Sequence, residues 1–321
     1  MRPPASLAAA AAALLAAAAV PLLVDDQYVL FMLSLSLIGA ITALGLNVTN
    51  GYLGILNLSV GGQVALGAYV CAIAALRGVP VPAALLLGTL VGAFFAWLIF
   101  LLFARLTGFF FGLATIAAAE VVRLLVRNLD EWTNGVRGLR GYPKLTESPD
   151  TTYWVLLALL VLVIAGIARL VRSPLGVRWR AIRENAGKAL SIGLPVRRLQ
   201  AIGFVLSGAI MALGGGLLAL LLQYIEPGIA GLNTLVQTVL MVALGGAGTI
   251  FGPVVGALAI TVIPEFLRVA NELRLVLYGA TLIVVVLMIP GGIVGALERR
   301  ARIRRRLAAG RALYEQEKAK T

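Results

Sequence analysis

Apolar runs of about twenty residues recur along the chain, at 7–24, 28–46, 55–76, 82–104, 109–127, 153–171, 201–222 and 274–296. A hydrocarbon core of roughly 30 Å is crossed by a helix of about 20 such residues. Inside lipid the backbone must satisfy its own hydrogen bonds, which a helix does within one segment. The expected fold is therefore an all-α integral membrane protein with about eight transmembrane helices. Composition agrees, with 60% of residues hydrophobic and 13% charged, against roughly 45–50% and about 25% in soluble domains.

One further run, 233–263, is too long for an ordinary span and holds the glycine-rich "GGAGTIFG" from Gly245 to Gly252. Charge distribution decides how it sits. The loop 172–200 carries seven Lys/Arg and one acid, and the tail 298–321 carries nine Lys/Arg and three acids. Both belong on the cytoplasmic side by the positive-inside rule. Alternating the spans puts 128–152, 223–232 and 264–273 outside, so 233–263 must enter and return. Its arms, 233–245 and 251–263, would each be about 20 Å long at 1.5 Å per residue, too short to span. They read as a pair of short or re-entrant helices, tolerated at membrane depth where protein or a wet cavity surrounds them.

The chain divides into three parts. Residues 1–24 form an N-terminal transmembrane helix or a cleaved signal-like segment, residues 25–297 the polytopic domain, and residues 298–321 a basic cytoplasmic tail. The net charge of +13 suggests nucleic acid at first. Its confinement to loops and the tail, with "RRARIRRR" from Arg299 to Arg306, points instead to membrane orientation and anionic lipid.

Several chemistries are excluded. There is no histidine and a single cysteine, Cys71, so neither a disulfide within the chain nor a cysteine- or histidine-based metal site can form. No nucleotide-binding G-x-x-x-x-G-K-[ST] loop, H-E-x-x-H or G-x-S-x-G motif occurs. No catalytic residue, metal ligand or cofactor of the chain's own is expected. Any ATP must be used by another subunit.

A second glycine-broken element covers 45–63. Its polar residues Asn47, Asn57, Ser59 and Gln63 either line a pathway for a polar solute or bond neighbouring helices. Glu120 and Arg123, three apart on one helix face, pair. They sit beside a solute path or a subunit contact, or mark a helix end with Arg123 and Arg127 reaching for the surface. Ser207, Gly208, Ala212 and Gly216 mark a close helix crossing. The loop Asn128–Lys144 either docks an external partner or is simply solvated.

The stretch "GVRWRAIRENAGKALSIGLP", Gly176 to Pro195, reads as a short amphipathic helix. Trp179, Ile182, Ala186 and Leu190 form its apolar stripe, Arg180, Arg183, Glu184 and Lys188 project elsewhere, and Gly193 and Pro195 end it. Such a helix either rests on lipid headgroups or docks in a partner's groove.

This stretch, followed by "FVLSGAIMALGGGLLA", resembles the cytoplasmic loop of branched-chain amino-acid ABC transporter permeases of the LivM type. "GYLGILNLSVGGQVALGAYV", "FFGLATIAAAEVVRLL" with "TNGVRGLRGYP", and "LGGAGTIFGPVVGALAI" resemble that family in the same order, over about 28–297. One departure is Gln63 in "GGQ", where relatives often carry a histidine. The resemblance implies an importer in the bacterial inner membrane, with the C-terminus cytoplasmic. Two permease subunits would pair, identical or related. Two cytoplasmic ATPase subunits would bind below and an external solute-binding protein above. Arg180, Arg183, Glu184, Asn185, Ala186 and Gly193 would belong to the coupling helix at the ATPase. Asn47, Asn57, Ser59, Gln63 and Glu120 are the candidate pathway residues. Related permeases carry urea, amides or sugars, so these solutes are alternatives. A secondary transporter using Glu120 as its ion site is another.

Overall fold

The computed structural model describes residues 26–266, together with Pro21, Gly292 and Val294, and describes side chains as far as Val262. The expected spans 7–24 and 274–296 and the tail 298–321 lie outside the described residues. Helix α1, Gln27–Asn47, starts where Asp26 accepts a hydrogen bond from the Tyr28 N–H at 2.8 Å. It continues without a break into a π-helical stretch, Val48–Leu53. After an irregular segment come α2, Val60–Leu76, α3, Val81–Phe103, and α4, Gly108–Asn128. A one-turn helix α5, Asp130–Thr133, leads to strand β1, Leu139–Arg140.

Helix α6, Pro149–Arg172, is followed by the charged helices α7, Pro174–Glu184, and α8, Ala186–Ser191. Helix α9, Val196–Leu222, leads to strand β2, Tyr224–Ile225. Two short helices close the described chain: α10, Leu232–Gly245, and α11, Gly252–Phe266.

Five helices among the described residues are long and apolar enough to cross a membrane. The expected span 55–76 is a correction. Only Val60–Leu76 is helical, 17 residues, or about 25 Å at 1.5 Å per residue. Residues 54–59 have no regular structure and begin at Gly54, whose left-handed φ of 73° ends the preceding helix, so α2 starts later than expected. A second departure from an all-helical chain is the two-residue ladder in which Leu139 pairs with Ile225 and Arg140 with Tyr224, antiparallel. It ties the 128–152 loop to the 223–232 loop. The expected pair of short helices within 233–263 is present, broken at the glycine turn.

Helix α9 is the centre of the bundle. Its small residues admit neighbouring backbones closely, which is how helices gain packing energy without a hydrophobic drive in lipid. The Ser207 hydroxyl donates to the Gly45 carbonyl of α1 at 2.7 Å, and a β-carbon at Gly214 would strike Thr42. Thus α1 runs antiparallel to α9. On the other side Gly208 faces Gln63, Ala212 faces Gly67 and Gly216 faces Cys71, so α2 runs parallel to α9. The close crossing expected at Ser207, Gly208, Ala212 and Gly216 is present. Phe100, Phe111 and Phe204 join α3, α4 and α9, with ring centroids 5.5–6.3 Å apart. Helices α10 and α11 pack antiparallel through Gly245 against Gly252 and Gly256 against Met241. Gly39 of α1 meets Met241 and Ala257.

The end of the bundle away from the charged helices is capped by the 128–152 loop. Buried Tyr142 donates its hydroxyl to the Ala219 carbonyl at 3.1 Å. Burial pushes its phenol above the ordinary value, so it stays protonated as a donor. The Arg77 guanidinium lies 4.3 Å from the Trp132 ring centroid, a cation–π contact.

Candidate functional site

The charged patch folds as two helices. Ser173 accepts from the Leu175 N–H at 3.2 Å and starts α7. At Asn185 the backbone turns extended, φ −163° and ψ 104°, while its side chain accepts from the Lys188 N–H at 2.9 Å. One residue therefore ends α7 and caps α8, the role its short polar side chain suits. Trp179 and Ile182 are buried as expected, and the Trp179 indole donates to the Leu199 carbonyl of α9 at 2.9 Å. Ala186 and Leu190, expected on the same stripe, are exposed; Ala189 takes the buried position instead. The break at Asn185 resets the helical phase by that much. Gly193, at φ 81°, ends α8.

What remains outward is chemically mixed. Arg180, Arg183, Glu184, Asn185 and Lys188 are exposed, interleaved with Val177, Leu190 and Ile192, the last 74% exposed. This face therefore mixes exposed apolar and charged side chains.

Arg183 also reaches inward. A β-carbon at Gly54 would sit 2.8 Å from its Cγ, and one at Gly248 would sit 2.6 Å from its Nη1. Gly54 follows the π-helical stretch and Gly248 lies in the turn between α10 and α11. Both hold positive φ, 73° and 82°, where glycine avoids the Cβ clash. A residue of the charged helices thus touches both broken elements.

Those elements are joined by Asn47. Its Nδ2 donates to the Thr249 carbonyl and its Oδ1 accepts from the Gly248 N–H, each at 2.8 Å. The side chain is fully buried. Both of its polar groups are spent on the turn, so in this conformation Asn47 is a cross-link. Gly51 packs on the same Asn47 amide. π-Helical turns of this kind occur often at functional sites.

Backbone groups of the irregular segment 54–59 are met by side chains. The Asn57 N–H donates to Asn50 Oδ1 at 2.9 Å, and the Leu58 N–H donates to the Thr115 hydroxyl at 3.0 Å. Asn57 Oδ1 accepts from the Ser59 N–H at 3.0 Å and from its hydroxyl at 2.8 Å. Gln63 is fully buried, and neither of its amide atoms, nor Asn57 Nδ2, has a hydrogen-bond partner among the described residues. Unpaired buried polar groups cost roughly 1–3 kcal/mol each, which marks this breakpoint as unusually polar for its depth. Asn57, Ser59 and Gln63 therefore cluster at the start of α2, while Asn47 belongs to the turn.

Glu120 stands apart on α4. The Arg123 Nε donates to its two carboxylate oxygens at 2.9 and 2.8 Å, and Nη2 donates to Oε1 as well. The Glu120 side chain, 46% exposed, borders a narrow crevice with Leu58, Ile116, Leu232 and Leu235. The sequence reading missed Gly54, Thr115 and Gly248. Thr115 carried a readable signal as a hydroxyl in an apolar run. The two glycines were marked only by their positions beside the breaks.

Comparison with known proteins places the chain in a family of transport permeases. The family model for the permease component of branched-chain amino acid transport systems matches residues 28–286. The high-affinity branched-chain amino acid transport system permease protein LivM of Escherichia coli K12 is 28% identical over 307 residues, covering 86% of this chain and 72% of that protein. The LivM protein of Salmonella typhimurium LT2 is 30% identical over 290 residues, covering 81% and 68%. The LivH permease protein of the same Salmonella strain is 31% identical over 150 residues, covering 45% and 47%. No solved structure gives a significant match.

Proposed function

From the premise that this chain belongs to the family of permease components of branched-chain amino acid transport systems, we propose how it works as the multi-pass membrane subunit of an ATP-driven importer. Its solutes would be branched-chain or similar amino acids, which the two LivM relatives carry in their names. The chain would sit in the bacterial inner membrane with its C-terminus in the cytoplasm. Two ATPase subunits would use ATP below it, and an external solute-binding protein would deliver from above. A second permease subunit would pair with it. Similarity to both LivM and LivH supports a related rather than an identical partner.

Helices α7 and α8 would be the coupling surface, through Arg180, Arg183, Glu184, Asn185, Ala186 and Gly193. One observation carries this reading: Arg183 lies against Gly54 and Gly248 at once. A push on α7 would therefore reach the π-helical end of α1 and the α10–α11 turn together. Asn57, Ser59, Gln63 and Glu120 would border the pathway when the bundle opens, and Asn47 would hold the turn in the closed state.

The test is uptake by vesicles carrying the whole complex with Arg183→Glu and Glu184→Arg. Loss of ATP-coupled uptake, with the ATPases still bound, is expected. Unchanged uptake would sink the coupling role.

A further inference from the structure

A cavity of about 250 Å³ opens at the end of the bundle away from the charged helices, between the first turns of α1, the segment 144–152 and the last turn of α9. It is smaller than the roughly 300–1,000 Å³ of drug-sized sites, a scale that suits a small metabolite or a lipid headgroup. Its walls are divided. Leu30, Phe31, Leu220 and Leu221 give one apolar side. Ser34, 2% exposed, and the hydroxyl pair Thr146 and Thr152, 2.6 Å apart, give polar atoms within.

Lys144 and Glu147 both border the same cavity. Neither forms an ion pair or a side-chain hydrogen bond among the described residues. This contrasts with Glu120 and Arg123, which satisfy each other. Lys144 and Glu147 are both exposed, so they set opposite charges at the solvent rim of an apolar wall, which matches a ligand that carries both charges and an aliphatic part. A singly charged ligand would leave one of them without a counter-charge.

We propose that this cavity binds a zwitterionic amphiphile, with Lys144 facing its anionic group, Glu147 its ammonium group and the leucines its aliphatic part. Two sources share that chemistry: a free aliphatic amino acid, and a lipid with a phosphoethanolamine headgroup. The first rests on the solute reading given above; the second does not.

The experiment uses the intact complex without its solute-binding protein. Equilibrium dialysis measures radiolabelled leucine, with isovalerate and isopentylamine as singly charged probes. Mass spectrometry measures phosphatidylethanolamine retained from mixed phosphatidylethanolamine and phosphatidylglycerol membranes. At least one of the two zwitterions should be held. Lys144→Gln and Glu147→Gln should each weaken it at least tenfold, and the singly charged probes should bind at least tenfold more weakly than leucine if leucine is the ligand. Arg140→Gln, exposed and away from the cavity, should change binding less than twofold. Melting curves of each variant report folding. Retention of neither zwitterion, or equal retention in all variants, overturns the proposal. ATP-driven leucine uptake is measured alongside, in vesicles to which the solute-binding protein has been added back. Absent uptake with binding intact counts against the solute reading alone, and normal uptake without binding counts against the cavity alone.

Discussion

Asn47 and Gly248, 201 positions apart, are joined by a 2.8 Å hydrogen bond in which the Gly248 N–H donates to Asn47 Oδ1. The other end of the same amide donates to the next carbonyl, that of Thr249. A turn outside regular structure must find other partners for its backbone groups, and one buried side chain supplies them here at two points.

Replacing Asn47 by Ala should strand the Gly248 N–H and the Thr249 carbonyl, at roughly 1–3 kcal/mol each if no water enters. Asn47→Asp keeps the acceptor but buries a carboxylate against the Thr249 carbonyl, so it should be no more stable than Ala. Thermal unfolding of the purified complex orders the three. Equal melting temperatures would show that the turn is held by packing alone.

Gly248→Ala meets two obstacles that can be separated. Positive φ costs an L-residue about 1–2 kcal/mol, and the new β-carbon would crowd Arg183 Nη1. Arg183→Ala in the same chain should relieve only the second. A double-mutant cycle on stability should therefore show a coupling above about 0.5 kcal/mol. Simple additivity would mean that the guanidinium swings clear freely.

Asn185→Ala should unfasten the start of α8 at about 1 kcal/mol, the usual worth of such a cap, while Asn185→Asp or Ser retains it. ATP-driven uptake should fall several-fold in the Ala variant and recover in the other two. Equal uptake in all three would show that the order of α8 does not matter to transport.

Gln63→Leu removes two buried polar atoms without partners at similar volume. The variant should melt higher, by an amount corresponding to about 1–3 kcal/mol, and transport more slowly. Higher stability with unchanged uptake would remove Gln63 from the pathway.

The broken hairpin was legible in the sequence because its reading needed only span length and loop charge. Residues 233–263 are too long for one crossing, and Glu226 alone charges the loop before them. The close packing of α9 was legible from its small residues for a similar reason, since only they permit near contact of helix backbones in lipid. Periodicity misplaced Ala186 and Leu190 because it assumed an unbroken helix, and Asn185 capped a new one. It began α2 too early because hydropathy does not distinguish Leu56 and Leu58, which lie outside any helix, from helical leucines. The meeting of Arg183 with Gly54 and Gly248 depends on tertiary folding across 129 and 65 positions by residue number, which no local pattern encodes. The two-residue ladder at Leu139 and Ile225 was hidden likewise, being too short to leave an alternation.

The hairpin of α10 and α11 begins and ends at the same end of the bundle. A spanning helix cannot shift far along its own axis without dragging a polar loop through hydrocarbon. A hairpin fastened from one end is under no such constraint. Along its length it packs on α1, where Gly39 meets Met241 and Ala257, and its tip is clasped by Asn47 and Arg183. The clasp therefore ties the tip of the hairpin both to the charged helix α7 and to the π-helical end of α1.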